Sequence, residues 1–266
     1  GDNNAIALGA NCVVMRCKVT RGASTPSLKT MVSVGAQGLI AGNYVYGGGT
    51  NTWAINPSGA CVIIGNYVEG FEYVGIKMPV DNSVIANNII RMSGVNSYGI
   101  RISALAGVHI FGNIVYSPDA NTKNGIWLAE SAGQQAISCF NNIVCGISGA
   151  WGVGIGTSTG TTLPFGGYNA YWNNTTNYSI AKTFVNETAN DVTLAADPFT
   201  DAANGDFSLT AAAKAALAGA GWPTSYLGAD AATVPNLNIG PIQLAAAAAS
   251  GGGFPKIASL LGRTRM

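Results

Sequence analysis

Charge is what this chain has least of. Only 9 % of its 266 residues are charged, the net charge is +1 and there is one histidine. So weak a field cannot steer a nucleic acid or a strongly anionic membrane, and no nucleic acid is expected as partner. No apolar run approaches the roughly 18 residues of a membrane span, and no charged-then-apolar signal segment opens the chain. A 3.6-residue apolar stripe is also missing from the first 170 residues, which excludes the α/β barrel and doubly wound sheets. The cysteines (Cys12, Cys17, Cys61, Cys139, Cys145) are odd in number, scattered and without zinc spacing. They read as buried free thiols, and no metal or cofactor is expected. Paired acids are scarce as well. Glu69 and Glu72 form the one close pair, expected in a solvated turn, and His109 is expected to lack an acidic or Ser/Cys partner, which argues against a triad.

What the chain does have is repetition. LIAGNYV, VIIGNYV, VIANNII, HIFGNIV and CFNNIV place an asparagine at Asn43, Asn66, Asn88, Asn113 and Asn142, in steps of 23, 22, 25 and 29 residues. VVMRCKV extends the series back with Cys17 in the asparagine slot. A second series (MVSV, WAIN, GIKM, GIRI, GIWL, GVGIG) runs out of phase, centred on Val32, Ile55, Ile76, Ile100, Ile126 and Ile155. Two interleaved series of similar step mean a repeat architecture. Each phrase is short, Val/Ile-rich, alternating in period two and bounded by Gly, Asn, Ser or Pro, which is strand and turn chemistry.

Strands of constant spacing joined by turns pair with their own successors if the chain winds as a solenoid, each coil adding about 4.8 Å. An asparagine at one fixed corner then donates to one neighbour and accepts from the other, forming a ladder, and tolerates the left-handed backbone such corners need. Cys17 is where the ladder should end.

These residues resemble the right-handed parallel β-helix family, the pectate-lyase-like group that includes polysaccharide lyases, polygalacturonases, phage tailspikes and bacterial surface proteins. The resemblance covers about residues 5 to 170. It implies an all-β fold, a right-handed parallel β-helix solenoid of about six to seven coils, with an irregular C-terminal cap containing a short helix. The fold hosts many functions and fixes none.

The expected organisation is a β-helix over 1–170, an irregular transition over 171–189, a fold-back cap over 190–244 and a linker with docking tail over 245–266. The cap resembles the closing segment of bacterial and phage β-helix proteins through Asp197, Pro198 and Phe199, then Asn204 to Leu209, then Asn238 to Gln243. It departs from them at Asn238 and Pro241. Thr210 should cap a helix that Gly219 or Gly221 stops. GGYNAYW should form one last rung with Asn169 in the ladder slot. Asn174, Asn177 and Asn186 lie in glycosylation-type triplets that are read as chance in an Asn-rich chain. The tail places Phe254, Ile257, Leu260 and Leu261 beyond a polyalanine and glycine hinge, as a docking peptide for a neighbouring subunit would. The chain opens without Met almost inside its first coil, as a piece of something longer would.

Aligned coils yield two outward rows. Lys77, Arg101 and Trp127 stack between inward Ile and Met positions, a candidate grip for an anionic or neutral sugar. Val13, Leu39, Val62 and Val84, followed by His109 and Ser138, form an apolar row that the cap or an identical neighbour must cover. The reading is a non-enzymatic structural or adhesive module of a virion appendage, decoration or surface fibre. Its expected partners are copies of itself (a trimer favoured), other structural subunits and a polysaccharide. Its location would be the virion, or an extracellular or cell surface. The alternative is a polysaccharide lyase or glycoside hydrolase, with Lys77 or Arg101 near the reacting sugar and Glu69, Glu72, Asp81 or Glu130 as acids.

Overall fold

The computed structural model describes residues 3–21, 28–49, 52–93, 97–103, 106–118, 124–128, 137–149, 151–155, 165–177, 185–187, 190–218 and 220–221. The docking tail, with Phe254, Ile257, Leu260 and Leu261, lies outside the described residues, as do Glu130 and the Asn238 to Gln243 series.

Three parallel sheets run side by side, each taking one short strand from every turn of the chain. Sheet A holds seven strands, from Asn3–Leu8 to Trp151–Ile155. Sheet B holds eight, from Val13–Met15 to Val185–Glu187, and sheet C eight, from Lys18–Thr20 to Val192–Thr193. This is a parallel β-helix. Its regular winding makes about five turns, slightly fewer than the six or seven coils expected, and less regular strands extend it at both ends. Parallel pairing continues past residue 170 through Val185–Glu187 and Val192–Thr193.

The core is a stack of identical positions. Ile40, Ile63, Ile85 and Ile110 from sheet B, Val45, Val68, Ile90, Val115 and Val144 from sheet C, and Val32, Ile55, Ile76, Ile100 and Ile126 from sheet A are all fully buried. Period-two alternation and parallel register keep like above like, so every turn repeats the packing of the last. The sheet A register holds from Val32 to Ile126, then pairs Ile126 with Val153 rather than with Ile155, which sits opposite Leu128. An error of two residues leaves inside and outside unchanged; an error of one would have exchanged them.

The corner between sheets B and C carries the ladder. Asn43, Asn66, Asn88, Asn113, Asn142 and Asn169 are buried in one column. In Asn43 to Asn142 the backbone N–H and the side-chain Nδ2 both donate to Oδ1 of the next asparagine at 2.9–3.0 Å. At the start, Cys17 N donates to Asn43 Oδ1 at 2.9 Å, which ends the ladder there as expected. The left-handed backbone falls one residue earlier than expected: Arg16, Gly42, Gly65, Asn87, Gly112, Asn141 and Tyr168 take positive φ, not the ladder asparagines. Gly and Asn recur before the ladder because they adopt that conformation at least cost.

Of the thiols, only Cys61, Cys139 and Cys145 are buried; Cys17 is exposed and Cys12 half-buried, and all five are free. Among the described residues no helix is long and apolar enough to cross a membrane.

Beyond Thr193 the chain doubles back along the outside of sheet C. An antiparallel hairpin, Phe199–Asp201 with Asp206–Leu209, leads into the helix Ala211–Leu217. Thr210 Oγ1 accepts from Ala213 N at 3.3 Å as the expected cap, but the helix ends at Leu217, ahead of both glycines. Phe199, Phe207, Leu209, Ala213 and Leu217 pack on Ile114, Tyr116, Ile143, Cys145 and Ala170 in one cluster. The described part of the fold-back is therefore a flank cover rather than a plug over the open end.

Candidate functional site

The outer face of sheet A is built by the residues after each corner and those between the inward isoleucines. Lys77 pairs with Arg101, Arg101 with Trp127, and Trp127 with Gly154, so the expected row exists as one column of adjacent strands. All three named side chains are half-buried. Four aromatic residues that sequence reasoning left out complete it. Lys77 Nζ lies 3.9 Å from the centroid of the Trp53 ring, and Arg101 sits 5.2 and 5.8 Å from the rings of Tyr98 and Tyr73. Arg101 Nη1 also donates to Tyr73 Oη at 2.8 Å. Trp127 and Trp151 stack at 5.6 Å and 10°. Tyr98 leans on Trp127 at 6.3 Å.

This stacking has a chemical consequence. One face of each of the indoles Trp127 and Trp151 is taken by the other, so the row turns ring edges and cationic donors outward rather than a flat indole platform. Burial, then the Arg101 charge, hold the Lys77 amine below its ordinary pKa, with Tyr73 pulling weakly the other way. A signal for the missed aromatics was present. Tyr98 and Trp151 stand immediately before the GI and GV phrases, and Trp53 opens its own.

Among the described carboxylates none stands in this row. Glu69 is not in a solvated turn: it lies on the sheet C strand Tyr67–Phe71 and is half-buried. Its carboxylate accepts from Tyr44 Oη at 2.6 Å, from Tyr67 Oη at 3.3 Å and from Arg91 at 3.3 Å. The hydrogen bond to Glu69, with burial, pushes the Tyr44 phenol up to about 12; burial, then Glu69, does the same to Tyr67. Arg91 reaches on to the Ala203 carbonyl at 2.7 Å, fastening the fold-back. Glu72 is exposed, and Asp81 Oδ1 accepts from Ala106 N at 3.0 Å.

Sheet B presents the second row. Val13, Leu39, Val62, Val84, His109 and Ser138 are successive register partners, with their neighbours Val14, Ile40, Ile63, Ile85, Ile110 and Cys139 buried inside. Val13 is 56 % and Val62 37 % exposed; Leu39 and Val84 are half-buried. A parallel row two residues on adds Met15, Ile64 and Phe111, with Met15 and Phe111 exposed. The described fold-back lies on sheet C and leaves this face open. His109 does have a partner here: its Nδ1 is 2.8 Å from Ser138 Oγ, one strand away.

Sheet C carries a third outward row that sequence reasoning did not separate: Tyr44, Tyr67, Ile89, Ile114, Ile143, Ala170 and Val192, in register. The phrases NYV, NII and NIV are apolar on both sides of the strand, as a sheet covered on both faces requires. Asn174, in one glycosylation-type triplet, is bonded into the winding: its Oδ1 accepts from Ile147 N at 2.9 Å and its Nδ2 donates to Val144 O at 2.9 Å.

Compared with protein-family models, curated proteins and solved structures, the chain matches none of them.

Proposed function

We propose that this chain is a non-enzymatic structural and adhesive β-helix module of a virion appendage, decoration or surface fibre. In this reading it works at a virion, extracellular or cell surface and packs against further copies of itself through the outer face of sheet B, a trimer being favoured. The observation that carries the reading is the uncharged apolar column Val13, Leu39, Val62, Val84, which the described part of the fold-back, lying on sheet C, does not cover. A column without charge offers no complementarity to a charged partner, whereas two such sheets stack at about 10 Å with interdigitating side chains. Polysaccharide contact falls to sheet A, where Lys77 and Arg101 supply charge-assisted donors beside Trp127.

Sedimentation equilibrium is the test. The chain should sediment as an oligomer, and Leu39→Lys with Val62→Lys should yield monomers of unchanged circular dichroism. A wild-type monomer at tens of micromolar sinks the reading.

One observation favours the enzymatic alternative: an amine held below its ordinary pKa, as in Lys77, suits a proton acceptor in a polysaccharide lyase. Polygalacturonate and alginate should show no unsaturated products. Sustained turnover abolished by Arg101→Ala or Lys77→Ala would replace the structural reading with that one.

A further inference from the structure

The ladder does not stop at Asn169. Asn169 N donates to Asp191 Oδ1 at 2.9 Å, just as Asn142 N donates to Asn169 Oδ1 at 3.0 Å. The flanking backbone repeats as well: Val192 N bonds Asn169 O as Ala170 N bonds Asn142 O, both at 2.8 Å. Asp191 is thus the next member of the column, with a carboxyl in place of a carboxamide. Its Oδ1 plays the amide oxygen, so its Oδ2 stands where the others carry a donating Nδ2. Oδ2 is buried and has no hydrogen-bond partner among the described residues.

An ionised carboxylate in that place is costly. The titratable groups that face Asp191 are Tyr171, beside it on sheet C, and the Cys139 thiol of sheet B. Neither brings a positive charge, and the Asn169 N–H and the Tyr171 side chain are what favour the anion. A protonated carboxyl, by contrast, is an asparagine mimic, with an acceptor oxygen and an O–H donor in the positions of C=O and N–H.

We propose that Asp191 closes the ladder as a neutral carboxylic acid, and that its ionisation loosens the last turn and the fold-back that springs from it. Val192–Thr193 is the final sheet C strand, and Leu194 already belongs to the fold-back cluster. The chain passes from the winding into its flank cover at this corner.

Burial pushes the Asp191 carboxyl up to about 7, against a reference near 3.9 for an unfolded aspartate. A group whose folded pKa is raised stabilises fully below its unfolded pKa, and that contribution is lost as pH rises to the folded value. The opening constant of the last turn should therefore rise up to tenfold per pH unit between about 4 and 7, and level off above.

Amide hydrogen exchange at Val192 and Leu194, corrected for intrinsic rates, reads this directly. From pH 5 to pH 7 the opening constant should rise about 50-fold, the carboxyl being already half ionised in the closed state at pH 7. Asp191→Asn, which restores the ladder's own residue, should abolish the slope and keep the protected level at pH 8. Asp191→Ala should exchange fast at every pH. Carboxyl carbon NMR on the unaltered chain gives an independent reading, with a titration midpoint near 7 expected for the resonance missing in Asp191→Asn. A midpoint near 4, a flat wild-type profile, or a slope that survives in Asp191→Asn overturns the proposal.

Discussion

Removing one aspragine from the middle of the ladder should cost far more than a surface side chain of its size. Asn88 is fully buried, and four hydrogen bonds run through its side chain. Oδ1 accepts from Asn66 N and Asn66 Nδ2, both at 2.9 Å, and Nδ2 donates to Ile63 O and Asn113 Oδ1, both at 3.0 Å. In Asn88→Ala the Asn66 backbone N–H loses its acceptor in a place water does not reach, at about 1–3 kcal/mol for an orphaned buried group. Asn66 Nδ2 keeps Ile40 O and Ile64 O as alternatives, and Asn113 Oδ1 keeps the Asn88 backbone N–H, so those losses are nearer the ordinary net value of about 1 kcal/mol each. The expected total is about 4 kcal/mol, a large share of the roughly 5–15 kcal/mol by which domains are stable.

Asn43→Ala supplies the comparison. The donor it strands is the backbone N–H of Cys17, an exposed residue, and water can take the vacated acceptor's place at a cost of about 1 kcal/mol. Guanidinium unfolding followed by circular dichroism should rank the two variants in that order, with unchanged slope. If Asn88→Ala loses less than about 1 kcal/mol, or no more than Asn43→Ala, the ladder is not what holds the corner.

Three further outcomes follow from packing. Gly75→Ala would set a Cβ 2.6 Å from Gly99 O and 2.8 Å from both Ile90 and Phe71, so thermal denaturation should show a loss of about 3 kcal/mol. Arg91→Ala removes the link from Glu69 to the Ala203 carbonyl; limited proteolysis should then cut the Phe199–Leu209 hairpin sooner, for a local loss of about 1–2 kcal/mol. Trp151→Ala unstacks Trp127, costing about 1 kcal/mol, and should abolish the near-ultraviolet signal of the coupled indoles. An unchanged spectrum would mean the two rings do not stack in solution.

How much of this was written in the sequence depends on the length scale of the signal. The corner asparagines and the two interleaved strand series were legible because each obeys a local rule, period two within a strand and one polar slot per turn; that each asparagine phrase divides into a sheet B and a sheet C strand was not. The row Lys77, Arg101, Trp127 followed from register alone. Its aromatic partners did not, because Lys77 reaches Trp53 and Arg101 reaches Tyr73 diagonally across strands, where loop length sets the distance and period does not. Ile155 was misplaced by two residues for a similar reason: the repeat GVGIG offers two equivalent apolar positions, and only pairing with Ile126 selects Val153. The fold-back's face escaped because a strand apolar on both sides reports that something covers it without saying what. Glu69 looked solvated because the phenols of Tyr44 and Tyr67 and the guanidinium of Arg91 come to it from its own strand and its two neighbours.

The ladder also has a direction. In the bonds between its members every asparagine gives protons toward the C-terminal end and receives them from the N-terminal side, so the two extremities make unequal demands. The opening position needs no more than a main-chain N–H, which is why a cysteine serves at 17. The closing position must bring an oxygen on its side chain, and residue 191 brings one. Inserting a whole winding between two asparagines violates neither demand, whereas one added beyond Asp191 would have the side-chain proton of that acid as its donor only while the carboxyl stays neutral. A duplicated segment in the middle should lengthen the rod without retuning either tip.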